Sequence, residues 1–371
     1  MRILHVIVGL GVGGAERSLV KLIRAHHEDG RYEHHVVTLT KGGDLREDIA
    51  RYGASLTQLE LTGLRSVVRV FAQLIRLIRE LAPNVVHCWM YHSDLLGGIA
   101  ARICGVKMIL WSIRNAHLEG NSKLKPVLRK TCALLSWMVP TKVICVAEEA
   151  CRVHAQVGYA KEKMVVIPNG YDLDEFKFSE EGRTRVRREL GFTQNDLLVG
   201  SIGRFSPAKD HENFVRAASV AARMDQRLKF LMIGRGVNED PSLQHKLSML
   251  PPGRVVVLGQ RNDVADCLSA VDIFCLHSIT EGFPNVLAEA MAAERACIAT
   301  DAGDSRIMLD GLGPIVPSRD SEALANAILK VASLTREERE AKGLLLRQRV
   351  QSRYSMESVV AQYERLYASV Q

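Results

Sequence analysis

Short apolar runs recur along the chain, separated by longer stretches in which apolar positions return every three or four residues. The first pattern marks buried strands, the second amphipathic helices. Ile3 to Val8 reads as a strand that runs into Gly9-Leu10-Gly11-Val12-Gly13-Gly14, and a helix with Ala15, Leu19, Leu22 and Ile23 on one face follows. The alternation continues with strands at His34–Thr40, Leu56–Leu61, Val85–Trp89, Met108–Ser112 and Lys142–Val146. Helices are expected between them at Asp44–Tyr52, Val67–Leu81, His92–Cys104 and Pro126–Val139. A second series has strands at Leu197–Ile202, Phe230–Ile233, Val255–Leu258, Val271–Leu276, Ala296–Thr300 and Gly313–Val316, and the chain from Glu322 onward reads as helix. Repeated strand–helix alternation predicts parallel sheets covered by helices on both faces. Ligands of such sheets bind at the carboxyl ends of the strands.

Two series in 371 residues fit two domains rather than one core. The polar segment Asp172–Thr184, after Val165-Val166-Ile167-Pro168-Asn169-Gly170, is the expected connection. Hydrophobic residues make up 47% and charged residues 25%, which excludes a disordered chain. The net charge of +7 favours anionic partners without choosing among nucleic acid, an acidic membrane face and phosphorylated ligands. None of the eight cysteines forms a CxxC pair, so reduced thiols in a cytosolic protein are expected, with no metal. The opening apolar run is too short for a signal peptide. No stretch approaches the roughly 20 apolar residues of a membrane span.

The chemistry is expected at the strand ends. Thr280-Glu281-Gly282-Phe283-Pro284-Asn285-Val286-Leu287-Ala288-Glu289 follows an apolar strand, and a helix is expected to begin at Pro284, where the missing N–H costs nothing. Free amides of such a helix start suit a phosphate, and Glu281 and Glu289 bracket the turn. Arg204 and Lys209 follow another strand; they either clamp a diphosphate or sit in solvent as surface cations. Gly234-Arg235-Gly236 and the loop containing Arg261 could border a nucleoside. In the first half the strand ends carry Gly11–Gly14, His87–His92 and Arg114–His117. The glycine loop is either a ligand loop or a tight turn, and Glu16 and Arg17 face either a ligand or solvent. His92 opens a helix at the binding edge. Arg65, Arg69, Arg76 and Arg79 on one helix, and Lys123, Lys125, Arg129 and Lys130 on another, accompany apolar faces that either pack inward or lie on an anionic membrane. Asp172-Leu173-Asp174 has the D-x-D spacing of metal–nucleotide sites but lies at no strand end.

The ensemble resembles glycosyltransferase family 4, the retaining nucleotide-sugar transferases of GT-B fold. The resemblance spans essentially the whole chain: Gly13-Gly14-Ala15-Glu16, Ile167-Pro168-Asn169-Gly170, Gly203-Arg204 with Lys209, and above all the pair Glu281 and Glu289 around Gly282-Phe283-Pro284-Asn285. It implies an α/β architecture of two Rossmann-like domains facing across a cleft. Residues 1–170 would take the acceptor, with 355–371 packing back onto them, and residues 171–354 would bind the donor. Arg204 and Lys209 would hold the diphosphate, Glu281 the sugar hydroxyls, Glu289 the ribose, and the Phe283–Val286 amides the phosphate, with Gly13 and Gly14 closing from the other domain. Glu16, His92 and Arg114 would serve the acceptor.

The implied activity is retaining hexosyl transfer, from a UDP-sugar in preference to other donors, to a glycan or polyprenyl-linked oligosaccharide of a bacterial cell surface. Neither metal nor cofactor is required, and the location is cytoplasmic, with or without peripheral attachment to the inner membrane face. Two departures stand out. Ser112-Ile113-Arg114-Asn115 lies where some relatives have a histidine, and Ala302-Gly303-Asp304 where many have paired glycines. Competing readings are an epimerase on the same fold and a basic nucleic-acid-binding protein, although no zinc ligands or aromatic RNA-binding motif are present.

Overall fold

A computed structural model of the chain describes residues 1–11, 13–27, 30–116 and 124–369. Val12, His117 and Lys123, named above, lie outside them. The chain forms two compact units, Met1–Gly170 together with the chain from Met356, and Tyr171–Ser355.

In the first unit the strands are β1 (Arg2–Ile7), β2 (Glu33–Thr38), β3 (Ser55–Gln58), β4 (Val85–Trp89), β5 (Met108–Ile113), β6 (Lys142–Cys145) and β7 (Met164–Val166). All pair in parallel, in the order β3-β2-β1-β4-β5-β6-β7. The central strands are buried on both faces, so they read as unbroken apolar runs rather than alternating ones. Strand order reverses between β1 and β4, and the carboxyl ends there splay into a crevice of the kind that takes ligands.

The second unit repeats the plan with β8 (Leu197–Ile202), β9 (Leu228–Ile233), β10 (Val255–Leu258), β11 (Ile273–Leu276), β12 (Ala296–Thr300) and β13 (Ile315–Val316). Its parallel order is β10-β9-β8-β11-β12-β13, which puts the reversal between β8 and β11. Val199, Ile273, Cys275, Ile298 and Phe230 on these strands pack against Phe214, Ala218 and Leu324 on the covering helices.

Three expectations change. The connection does not stay polar loop: Ser179 caps a helix, Glu180–Glu189, by accepting from the Gly182 N–H at 2.9 Å. Serine followed by two glutamates is a helix-start signal that the polarity of the segment hid. That helix is held by its arginines. Arg183 and Arg187 both reach Asp272, at 2.6 and 3.3 Å, just before β11. Helix Glu148–Val157 and β7 also went unforeseen. Finally, Pro284 is the residue before helix Asn285–Ala292, not its first member.

The last helix, Met356–Ala368, packs on the first sheet through Val359, Tyr363 and Tyr367. Tyr367 Oη lies 3.2 Å from His87 Nδ1. Beside it runs a chain of buried rings whose proton positions follow from one donor. The Trp89 indole N–H can only donate, and it points at His5 Nδ1 at 3.2 Å. His5 therefore carries its proton on Nε2 and donates to His34 Nδ1 at 2.9 Å, and His34 donates in turn to His26 Nδ1 at 3.0 Å. Each ring is neutral in this arrangement.

Candidate active site

The most developed cluster of functional groups stands at the reversal between β8 and β11. The loop after β8 leads through Gly203-Arg204-Phe205 into a short 3-10 turn, Pro207–Lys209. The Phe205 N–H donates to the Arg235 carbonyl at 2.8 Å, so this loop is fastened to the Gly234-Arg235-Gly236 loop after β9. On its other side, the Ile279 N–H donates to the Ala208 carbonyl at 2.8 Å, and His277 Nδ1 lies 2.5 Å from the Lys209 carbonyl. A carbonyl only accepts, so His277 is protonated at Nδ1 and takes a hydrogen bond on Nε2 from the Ser201 hydroxyl, at 2.5 Å. The imidazole is fully enclosed and stacked on Phe214 at 4.8 Å, and burial holds its pKa down to about 3. It remains neutral and acts as a strut.

These ties deliver Lys209 to Glu281. Lys209 Nζ lies 2.5 Å from Glu281 Oε1, across 72 positions of sequence. The Ser278 hydroxyl donates to the same oxygen at 2.6 Å. Oε2 makes no hydrogen bond to the described residues, and two of the three ammonium protons of Lys209 are left over. Arg204 is exposed and makes no side-chain bond to the described residues. One carboxylate oxygen, two ammonium protons and a guanidinium are thus on offer at one sheet edge.

The turn after Glu281 is built from behind. Phe283 is buried, stacked on Tyr171 at 6.3 Å and edge-on to Tyr354 at 5.4 Å. The Tyr171 hydroxyl donates to Asn285 Oδ1 at 2.5 Å. Gly303, at φ +56°, lies so close behind this turn that a side chain there would collide with the Glu281 and Gly282 carbonyls. The Asp304 N–H donates to the Gly282 carbonyl at 3.2 Å. Val286 follows in the first turn of helix Asn285–Ala292, and Glu289 is its fifth residue, half-buried.

Arg261, expected beside the nucleoside, lies in the loop after β10. Its guanidinium is taken by Asp263 at 2.7 Å and Glu189 at 2.5 Å. Those two carboxylates push its pKa up, and Arg261 holds that of Asp263 down. In this arrangement Arg261 ties the loop after β10 to helix Glu180–Glu189. The D-x-D pair is also self-contained: Asp172 Oδ1 accepts from the Asp174 N–H at 3.0 Å. No cluster of metal-ligating side chains occurs among the described residues.

Two family models match the chain in tandem: "Glycosyltransferase Family 4" over residues 12–175, and "Glycosyl transferases group 1" over residues 196–333. The chain belongs to glycosyltransferase family 4. Among curated relatives of this family 4 transferase is the UDP-Gal:alpha-D-GlcNAc-diphosphoundecaprenol alpha-1,3-galactosyltransferase of Escherichia coli. It is 26% identical, over 70% of this chain and 68% of the relative. Another, the capsular polysaccharide biosynthesis glycosyltransferase CapM of Staphylococcus aureus, is 23% identical over 82% and 81%. Among solved structures, Anabaena HepE in complex with UDP-glucose superposes with a TM-score of 0.81 at 18% identity, covering 100% of both chains. A glycosyltransferase of Rickettsia africae reaches 0.84 at 16%, covering 100% and 98%. The fold is GT-B.

The first unit of the transferase holds Gly13 and Gly14, expected at the donor diphosphate, and Glu16, His92 and Arg114, expected at the acceptor. Gly13 caps helix Gly14–His26, and the Glu16 carboxylate folds back over that helix start, filling the room a Gly13 side chain would need. Acid over a helix amino terminus is favourable. His92 is the second residue of helix Tyr91–Ile103 at the β4 end; partial burial, then Lys125, lowers its pKa. Arg114 is engaged. It donates to Ser18 Oγ at 2.8 Å, to Asn169 and to Tyr363 Oη at 3.3 Å, and lies 5.6 Å over the Trp89 ring. It ties the β5 end to the first and last helices, which also gives Asn169 of the Pro168-Asn169-Gly170 motif a structural purpose.

The residues that sequence patterns missed are His277, Ser201, Ser278, Tyr171 and Gly303. Only Gly303 left a trace, as the single glycine where relatives often have two.

Proposed function

We propose that this transferase moves a hexose from a UDP-sugar, with retention of the anomeric configuration, to a glycan or polyprenyl-linked oligosaccharide in the assembly of a bacterial surface polysaccharide. The observation that carries the reading is the convergence of Arg204, Lys209 and Glu281 at one strand reversal, with the amides of Phe283 to Val286 beside them. The names of relatives, which specify UDP-galactose with a diphosphoundecaprenol-linked acceptor and capsular polysaccharide, support the choice of substrate class, and UDP-glucose in the HepE complex supports the choice of base.

Each group has a task in this reading. Transfer develops positive charge at the anomeric carbon and negative charge on the departing diphosphate. Lys209, held by Glu281 before reaction, and Arg204 beside it stabilise the diphosphate more in the transition state than in the bound donor. Glu281 Oε2 accepts from sugar hydroxyls, and the Lys209 and Ser278 bonds to Oε1 fix its orientation. Glu289, one turn into its helix, accepts from the ribose. Gly13 and Gly14 serve the donor diphosphate, and Glu16, His92 and Arg114 serve the acceptor. Retention follows from front-face attack, with the leaving diphosphate accepting the proton of the acceptor hydroxyl, so no protein nucleophile is assigned. Cations and amides meet the phosphate charge without a metal.

The test is a thermal-shift screen of UDP-, GDP- and ADP-sugars in EDTA, since a donor bound to the folded state raises stability by mass action. It is followed by assay of UDP released with a polyprenyl-diphosphate-linked acceptor. Stabilisation by a UDP-sugar and acceptor-dependent UDP release are expected. Interconversion of the UDP-sugar without UDP release would make the protein an epimerase, and salt-sensitive DNA binding without donor binding would return it to the nucleic-acid reading.

A further inference from the structure

Among the described residues of the first unit, one face is left uncovered. Helices Leu64–Leu81, Tyr91–Ile103 and Leu124–Ser136 lie side by side in one layer. Within them Arg65, Arg69, Arg76, Arg79, Arg102, Lys125, Arg129 and Lys130 stand against only Glu80 and Asp94. Asp94 is fully buried, and burial favours its uncharged form; at the surface Glu80 pairs with Arg76 and Glu60, ahead of the first helix, with Arg69, so the cations remain in excess.

Large apolar side chains crest this layer. On helix Leu124–Ser136 and the turn after it, Val127 is 61% exposed, Leu134 75%, Trp137 56% and Met138 75%. With about 100° per residue, Val127, Leu134 and Met138 share one narrow stripe, and Lys130 and Trp137 flank it on the same side. The crest is held rigidly. Lys163 Nζ donates to the carbonyls of Ser136, Trp137 and Pro140 at 3.0, 2.6 and 3.0 Å, and Arg102 reaches the Val139 carbonyl. The Trp137 indole N–H donates to the Gly158 carbonyl at 3.1 Å. These ties fix the end of the helix while its apolar side chains point outward. Contiguous exposed apolar surface of this kind marks an interaction site.

We propose that this face docks on an anionic lipid bilayer, the Val127–Met138 crest entering the headgroup region and the surrounding arginines and lysines meeting lipid phosphates. Exposed apolar side chains in a layer with an excess of cations suit an apolar layer beneath an anionic surface. A protein partner would need a matching groove and acidic rim. The inference deepens the polyprenyl-linked acceptor reading, since a docked face would bring the enzyme to a substrate held in the bilayer, but its test needs no acceptor.

The chain has three tryptophans; Trp89 and Trp111 are fully buried, so Trp137 alone meets water. The protein is mixed at low salt with vesicles of phosphatidylcholine, either pure or with phosphatidylglycerol, and sedimentation and tryptophan emission are read. Co-sedimentation with the anionic vesicles alone is expected, with a blue shift and quenching by brominated lipid that Trp137→Phe abolishes. Leu134→Ser with Met138→Ser, and separately Lys125→Glu with Lys130→Glu, should each lower the bound fraction about tenfold, with UDP-sugar binding unchanged. Three results overturn the proposal: no vesicle binding, binding with unchanged Trp137 emission, or a lipid-free dimer that buries Trp137. If UDP-sugar binding survives any of them, the transferase reading stands without the membrane.

Discussion

Lys209 and Glu281 neutralise one another at 2.5 Å, and neither is placed by its own element alone. Lys209 is set by His277 and by the Ile279 amide, Glu281 by Ser278 and by the glycine behind its turn. Replacing His277 by Phe keeps the stack on Phe214 but strands the Ser201 hydroxyl and the Lys209 carbonyl. Loss of about 2 kcal/mol of stability is expected from two unpaired buried groups, together with weaker UDP binding. A denaturation curve and a UDP titration of His277→Phe check the two effects, and an unchanged UDP affinity would show that the strut does not set Lys209. At this scale the sequence was half legible. Charged residues just past apolar runs pointed to Arg204, Lys209 and Glu281 because strand ends are where parallel sheets bind. Arg261 and Arg114 had the same signature, but their tertiary pairing with Glu189 and Asp263, or with Ser18, Asn169 and Tyr363, has no local trace in the sequence.

At the scale of elements, the turn Glu281-Gly282-Phe283 depends on a neighbour from the β12 side. Gly303 has φ +56° and no room for a side chain against the Glu281 and Gly282 carbonyls, whereas Gly311, at φ +80°, faces open space. Gly311→Ala should therefore cost about 1 kcal/mol of backbone strain. Gly303→Ala should cost about 3 kcal/mol and weaken UDP binding, because collision adds to strain. Thermal denaturation of the two variants separates the terms, and equal costs would show that the turn tolerates displacement. Most strands could be read from apolar runs because burial on both faces leaves no polar alternation to confuse them. Helix Glu180–Glu189 could not, since Val186 is its one apolar residue in the core and Arg183 and Arg187 supply the other buried contacts.

Across the whole molecule, buried neutral histidines make the two units unequally sensitive to acid. His5, His34, His87 and His154 in the first unit, and His211 and His277 in the second, all have pKa values lowered chiefly by burial. They fall to about 3 for His34 and His277 and about 4 for His154 and His211. In the unfolded chain they titrate near the ordinary histidine value of about 6.5. Below that pH the unfolded state takes up protons that the native state does not, so stability is complete above about 6.5 and falls as the pH drops toward the native values. The slope is about 1.4 kcal/mol per pH unit for each histidine. All three tryptophans lie in the first unit, so tryptophan emission follows that unit alone while far-UV circular dichroism follows both. Between pH 7 and 5 the urea midpoint seen by emission should fall further than that seen by circular dichroism. Equal shifts would mean that the histidine chain does not govern the first unit.

The plan of two parallel α/β sheets, each with its strand reversal, follows from apolar periodicity and was readable before the structure. The pairing of Lys209 with Glu281 was not, because nothing local connects groups 72 positions apart. That pairing is where the functional account is most exposed. Calorimetric titration of UDP in EDTA, into the wild-type protein and into Lys209→Ala, tests it most directly. The account predicts metal-independent binding to the wild type and at least about a hundredfold loss in the variant, equivalent to about 2.7 kcal/mol, with native circular dichroism retained. Equal UDP affinity in the two proteins would contradict it.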